Sequence, residues 1–364
     1  MDLGEYEAAG LYDPLDPDAD ARAELIAYLV EVGASLEEMV AAHAQGRLFA
    51  LAGDRVIIPG RDQFSLNDIA AATGAPVADV CAIWRALGFP RAGWDDLVAS
   101  PEDVEAVRVI VDMSRLIGLQ GVLGIARVVA SSMTRIADAA STAVRTQVPQ
   151  LALGLSESEL VTAKTFEGVA TFVPRVGQAL DAVWRHHLEA ARRHWERSDS
   201  VDLAESGGVR LGVGFADLSG FTGMTESLTM VELSRLLTVF EEVADDIVRD
   251  EDGRVVKYIG DAVMYVTHGA SSAVRVADRL LDAAEVRGMQ ARAGVTVGVV
   301  LSLEGDYFGP VVNLAARLVA MAAPGELLVT DEVVARIDGA MEAVALGPRA
   351  IRGFSKEIEV AKLR

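Results

Sequence analysis

The sequence is poor in cysteine, in positive charge and in uninterrupted apolar runs. Its 364 residues hold one cysteine, Cys81, which excludes an intramolecular disulfide. The apolar neighbourhood of Cys81 marks it as a small buried hydrophobe and suits a reducing cytoplasm. Lys and Arg number 33 against 54 Asp and Glu, a formal net charge of −21, which argues against a protein that grips nucleic acid by neutralising phosphates. An anionic nucleotide would then be held by a metal ion and a few placed cations. No basic segment followed by an apolar run opens the chain, so no signal peptide is expected. The most apolar stretch, residues 109–133, is interrupted by Asp112, Arg115 and Arg127, and no transmembrane segment is expected. With 51% hydrophobic and 24% charged residues, the composition is that of a soluble chain with a sizeable core, and the length suggests two domains.

The first half reads as helices. After an acidic entry with Pro14 and Pro17, Leu25, Ile26, Leu29 and Val30 have helical spacing and Gly33 stops the run. Ser35 followed by Glu38 is a capping box, and residues 56–59 read as a short extended piece. Residues 65–89 have the shape of a helix-turn-helix, which keeps a DNA-binding regulator open as an alternative function. Its second helix offers only Asp79 and Arg85 where a groove reader needs several polar side chains, so a packing module is the stronger reading. Ser100-Pro101 opens a long segment, Val104–Val144, apolar on more than one face and with Gly118, Gly121 and Gly124 three apart. That pattern predicts a buried central helix or a helix pair across a dimer interface, and admits a small apolar ligand. Ser156 starts a helix to about Arg197 with a kink expected at Pro174. Three of the five histidines, His186, His187 and His194, lie near its end. They suit either a solvated face at the negative end of the helix dipole or a proton-sensing joint.

Residues 201–208, with Gly207-Gly208, read as a linker between a helical domain (1–200) and a second domain (209–364) in which strands and helices alternate. Strands are expected at 209–216, 254–259, 262–267, 292–301, 326–330, 342–346 and 358–363, helices at 229–250, 271–287, 311–322 and 331–337, and a turn at 304–309. This is an α+β sheet covered by helices. Two of its strands each deliver one carboxylate to a turn, Asp217 and Asp261. Either alone could be a cap or a hairpin turn. Two aspartates in apolar strands together point to a metal site, because an ionised carboxylate there needs a compensating partner.

Three motifs carry a resemblance: Phe215-Ala-Asp-Leu-Ser-Gly-Phe-Thr222, Lys257-Tyr-Ile-Gly-Asp261, and Asp306-Tyr-Phe-Gly-Pro-Val-Val-Asn313-Leu-Ala-Ala-Arg317. Together they resemble the class III nucleotidyl cyclase domain over about residues 205–364. With the helical half in front, the whole chain is similar to soluble actinobacterial adenylyl cyclases whose N-terminal domain regulates the catalytic one. The resemblance implies a cytoplasmic enzyme that converts ATP to cyclic AMP and pyrophosphate. It assigns two Mg²⁺ or Mn²⁺ ions per site to Asp217, Asp261 and the carbonyl of Leu218. The turn through Phe221 and Thr222 would present N–H groups to phosphates. Lys257 and Asp306 would read adenine, Asn313 and Arg317 would position the ribose and stabilise the transferring phosphorus, and Arg352 stands where a terminal-phosphate cation is found. Ala316 departs from the Ser common in the family, with little expected effect. The resemblance further implies a head-to-tail homodimer. One subunit would supply the metal aspartates and the other Lys257, Asp306, Asn313 and Arg317.

Overall fold

The structure, a computed structural model, describes residues 2–148, 158–197, 208–226, 228–337 and 341–363. These divide into two compact units, Met1–Leu188 and Glu189–Arg364. Ser156, most of the linker and the side chains of Thr222 and His194 lie outside the described residues.

The first unit is helical: α1 (Gly4–Ala8), α2 (Ala19–Glu31), α3 (Leu36–Ala44), α4 (Leu51–Ile57), α5 (Leu66–Thr73), α6 (Val77–Ala86), α7 (Pro101–Gln147) and α8 (Glu159–Ala170), followed by α9 (Val173–Arg197), which continues past the boundary. Serine caps open three of them. Ser35, Ser65 and Ser100 each accept from the backbone N–H three residues on, and Glu38, Asp68 and Asp103 accept in return. One core joins Leu25, Ile26, Leu29 and Met39 to Ala163 of α8. A second joins Leu66, Ile69, Ile83 and Trp84 to Val107 and Val111 of α7. The helix-turn-helix segment thus spends its apolar faces on packing against α7.

Several expectations need correction. Residues 56 and 57 finish α4 and are not extended, because Leu51, Ala52 and Gly53 bury that helix against α8. The approach is close: a Cβ at Gly53 would lie 2.2 Å from the ring of Phe166. The long segment is not a buried central helix. Gly118 breaks it with φ 77° and ψ 159°, and only Val107, Val111, Val122, Leu123 and Ala126 are buried. Its apolar side chains elsewhere, such as Leu116, Met133 and Ile136, are exposed. α7 is also long and apolar enough to cross a membrane by length and composition alone, contrary to the expectation that no run would be. Between Arg115 and Arg135 it carries a single charge, Arg127. Pro174 does not kink a continuous helix. α8 ends at Ala170, and Pro174 stands in the first turn of α9, where its missing N–H costs no intrahelical bond.

The second unit contains β1 (Val209–Leu218), the short α10 (Phe221–Thr225), α11 (Met230–Asp250), β2 (Arg254–Ile259), β3 (Ala262–Thr267) and α12 (Ala270–Val286). It continues with β4 (Ala291–Leu303), β5 (Asp306–Phe308), α13 (Pro310–Met321), β6 (Leu327–Thr330), α14 (Asp331–Val334), β7 (Ala343–Arg349) and β8 (Ile358–Leu363). The residues expected as a turn at 304–309 include strand β5, which folds back on β4 through Glu304 and Gly305, both at positive φ. The strands form one sheet in the order β2-β3-β1-β4-β6-β8-β7, with β5 added to β4. Among the described residues only the β4–β6 pairing is parallel. Side chains alternate across the sheet. Ala216, Leu218 and Tyr265 face a core with Phe240 of α11 and Val274 and Leu280 of α12. Leu211, Val213, Phe215 and Met264 face α13 through Ala315 and Val319. This is the expected α+β architecture, with a mixed sheet covered by helices.

Candidate active site

The central strand β1 ends at the acids. Asp217 is its penultimate residue and stands opposite Ala262 of β3 and Arg292 of β4. The β2–β3 hairpin turns at Gly260-Asp261, with Gly260 at φ 63°. The hairpin tip is tied to the strand end because the Leu218 N–H donates to the Asp261 carbonyl at 3.2 Å. One oxygen of Asp217, Oδ2, accepts from both Nε (3.0 Å) and Nη2 (2.6 Å) of Arg292. The Asp261 carboxyl is pushed above its ordinary value, first by burial and also by the negative charge of Asp217 beside it. Its own backbone N–H and the Arg292 guanidinium oppose the shift. Two carboxylates and a guanidinium therefore form one cluster. Arg292 was missed in the sequence, where a lone cation inside Ala-Arg-Ala-Gly-Val was the available signal.

Beyond the strand end, Leu218, Ser219 and Gly220 line a cavity of about 510 Å³ with Glu285, Met289 and Gln290. The Ser219 N–H donates to the Gln290 carbonyl at 2.7 Å, and its buried hydroxyl has no partner among the described residues. Phe221 opens α10 half-buried, packed on the larger core of the unit. Among the described residues no cluster of three or more His, Cys, Asp or Glu side chains could hold a metal ion. Asp217 and Asp261 are the carboxylates at the strand end and the hairpin tip, with the carbonyl of Leu218 between them in the chain.

Lys257 and Asp306, 49 residues apart, are brought together as an ion pair. Lys257 is on β2 opposite Met264, which in turn lies opposite Phe215. Asp306 opens β5, and its Oδ1 accepts from the Tyr307 N–H at 2.8 Å. Arg254 supports this corner, donating to the Gly305 carbonyl at 2.9 Å and lying over the Tyr307 ring at 5.4 Å. From Lys257 to Asp217 is two strand spacings across and two residues along, a backbone separation of about 12 Å.

Asn313 and Arg317 are one turn apart on the exposed side of α13. The helix is held to the sheet from its other side, where Ala315, Leu318 and Val319 are buried. A Cβ at Gly294 of β4 would lie 2.4 Å from the Val319 nitrogen, so that glycine sets how closely α13 approaches. The buried Thr296 hydroxyl donates to the Val311 carbonyl at 3.0 Å and fixes the start of the helix. Neither Asn313 nor Arg317 makes a side-chain hydrogen bond or ion pair to the acids or to Lys257 and Asp306 among the described residues. Arg352 is exposed in the β7–β8 connection, beside the buried Ile351.

Comparison with known proteins gives a consistent result over both units. Residues 4–192 match the adenylate cyclase regulatory domain family. Residues 208–361 match the adenylate and guanylate cyclase catalytic domain family. An uncharacterized protein of Mycobacterium tuberculosis is 41% identical over all of this chain and 94% of its own length. An adenylate cyclase of Streptomyces coelicolor is 30% identical, covering 77% of this chain and 73% of that protein. A pH-sensitive adenylate cyclase of M. tuberculosis is 26% identical over 94% of this chain and 88% of its own length. Among solved structures, the adenylyl cyclase CyaB from P. aeruginosa is 25% identical over 43% of this chain and 93% of its own, with a TM-score of 0.40.

Proposed function

The chain belongs to the adenylate cyclase family that joins a regulatory domain to the cyclase catalytic domain, and we propose that it works as a homodimer whose two active sites are shared between subunits. The enzyme is an adenylate cyclase, turning ATP into 3′,5′-cyclic AMP and pyrophosphate. In that reaction the ribose 3′-hydroxyl gives up its proton to water, its oxygen bonds to the α-phosphorus, and the bond from that phosphorus to the oxygen bridging to the β-phosphate breaks, so that pyrophosphate leaves. The work left to the protein is positioning and charge stabilisation.

The observation that carries the shared site is that Asn313 and Arg317 make no side-chain contact with the acids or with Lys257 and Asp306 of their own chain among the described residues. The acid cluster and the Lys257–Asp306 pair are each assembled within one chain, yet stand about 12 Å apart along the sheet. Asn313 and Arg317 face solvent. Exposed apolar side chains on the β4–β5 hairpin, Leu301, Leu303 and Phe308, support a subunit contact there.

In this reading Asp306 accepts a hydrogen bond from the 6-amino group of adenine and Lys257 donates one to the ring nitrogen N1. Guanine presents a carbonyl and an N–H at those places, which reverses the pattern. Asn313 holds the ribose, and Arg317 meets the charge that develops on the transferring phosphoryl group. The backbone of the Leu218–Thr222 turn and Arg352 hold the β- and γ-phosphates. The oxygen donors of Asp217, Asp261 and Leu218 fit the hard cations Mg²⁺ or Mn²⁺, two per site, which when bound supply Lewis-acid stabilisation of the 3′-oxygen and the phosphates. The Asp261 carboxyl, raised first by burial and further by Asp217 beside it, supports that fit, because a bound cation would offset both effects.

The regulatory domain (1–200) passes its signal, a proton or a small apolar ligand, through residues 201–208 to the catalytic domain (209–364). The acidic chain acts on a soluble nucleotide in the cytoplasm and not on nucleic acid. The burial of the helix-turn-helix against α7 favours this over the DNA-binding alternative.

Complementation tests the shared site. Asp217→Ala and Lys257→Ala should each lose nearly all turnover. Mixed and re-associated, they should recover about one quarter of wild-type activity, since half of randomly paired dimers are mixed and each restores one of two sites. No recovery overturns the shared site.

A further inference from the structure

Arg292 is the one charge in residues 291–300 of β4. Alternation along the strand puts it on the face it shares with Gly294 and Thr296, which is the face covered by α13. On β1 the same face carries Phe215 and Asp217, opposite Gly294 and Arg292. The guanidinium aims both Nε and Nη2 at one oxygen, Asp217 Oδ2, at 3.0 and 2.6 Å. A forked Arg–carboxylate pair usually spreads its two donors over both oxygens. Here both fall on one, and two N–H donors fill the two lone-pair directions that a carboxylate oxygen offers. The pair is not needed to hold the strands together. β1 and β4 are already in register over Val209–Leu218, and a pair whose side chains are 32% and 19% exposed adds little to stability.

We propose that Arg292 is a positioning residue that sets which divalent cation the acid cluster accepts: with Oδ2 held, Asp217 meets a cation through Oδ1 alone, and the site takes Mg²⁺ or Mn²⁺ in preference to Ca²⁺. The inference rests on the assignment of the cations to Asp217, Asp261 and the Leu218 carbonyl. Mg²⁺ and Mn²⁺ suit octahedral sites and accept single oxygens from several groups. Ca²⁺ takes roughly six to eight oxygens and often draws both from one carboxylate, which Arg292 prevents at Asp217.

The guanidinium has a second effect, purely electrostatic. It offsets part of the charge of Asp217 and Asp261 and so weakens the cluster for every divalent cation alike. Ca²⁺ and Mn²⁺ carry the same charge. Their relative affinity therefore reports the held oxygen and not the countercharge.

Mn²⁺ binding to the full chain, read from the electron paramagnetic resonance of the free ion with Ca²⁺ as competitor, tests this. In the wild type Ca²⁺ should displace Mn²⁺ poorly. Arg292→Met frees Oδ2 and should improve Ca²⁺ relative to Mn²⁺ by about tenfold or more. Arg292→Lys keeps the charge but loses the planar fork, and should shift the ratio the same way by less. It carries the test alone if Arg292→Met does not fold. In each folded variant Ca²⁺ should also inhibit ATP turnover at lower concentration than in the wild type. If Arg292→Met tightens both cations equally, the guanidinium is a countercharge only and the inference is overturned. A lowered melting temperature with the Ca²⁺ to Mn²⁺ ratio unchanged in the folded variants makes the pair structural and overturns it too; loss of Mn²⁺ binding in Asp217→Ala then leaves the cation assignment standing. Mn²⁺ binding that survives Asp217→Ala, or is absent from the wild type, overturns that assignment and the inference with it.

Discussion

The two units put the same side chains to different uses. In the helical unit carboxylates serve the backbone a few residues away: Glu38, Asp68 and Asp103 each close a box with the serine three residues before. Asp68 is held below its ordinary carboxylate value by the Ser65 hydroxyl and then the Ser65 N–H. In the catalytic unit the carboxylates of the site meet partners remote in sequence. Asp217 is 75 residues from Arg292, and Asp306 is 49 from Lys257. Asp261 and Asp278 are both pushed upward, burial being the largest cause. Local caps stabilise elements, and long-range pairs build a site that a few elements must hold in register. The apolar side chains differ as well. The catalytic unit buries most of them in cores on the two faces of one sheet, whereas α7 leaves many of its own, such as Leu116, Met133 and Ile136, exposed.

The sharpest way to break the comparison is at a long-range pair. Lys257→Glu removes the proposed N1 donor and should lower kcat/KM for ATP by roughly two orders of magnitude or more, with a smaller loss for GTP. The variant should melt near the wild-type temperature, since the pair is part-exposed; steady-state kinetics with both nucleotides check it. If the melting temperature falls instead and the nucleotide preference stays, the pair is structural like those of the helical unit.

In the helical unit the largest effect should come from packing and not from charge. Gly53→Ala drives a methyl into Phe166 and should cost about 1–3 kcal/mol of stability, read from urea unfolding followed by circular dichroism. Turnover per folded molecule should persist.

The smallest effect concerns Asp278, whose carboxyl is raised by burial and then by Asp282 one turn on. A carboxyl raised by folding destabilises the native state once pH passes its unfolded value, and does so fully above the folded one. Asp278→Asn should therefore raise the melting temperature at pH 7, and the gain should close as pH falls to about 3. A gain that persists in acid would assign the effect to something other than charge.

Much of the local structure was legible. The helix starts at Ser35 and Ser100, the apolar spacing of α2 and the order of strands and helices in the second unit all depend on residues near in sequence. The misreadings fell where distant contacts decide. Residues 56 and 57 are helical because α4 is clamped by α8, and 306–308 form a strand because β4 is there to pair with. Asp217 and Asp261 stood out as charges in apolar strands, but Arg292 did not, because its meaning lies in the β1–β4 register.

By itself the sequence determined the order of the elements, the two-part plan and the motifs that carry the family resemblance, because caps, periodicity and turn residues act over a few positions. Only the tertiary structure decided that Arg292 grips Asp217, that Lys257 pairs with Asp306, and that α4 is clamped by α8. Those contacts join residues dozens of positions apart or ask what packs against a face, and both depend on how the sheet and helices close on one another.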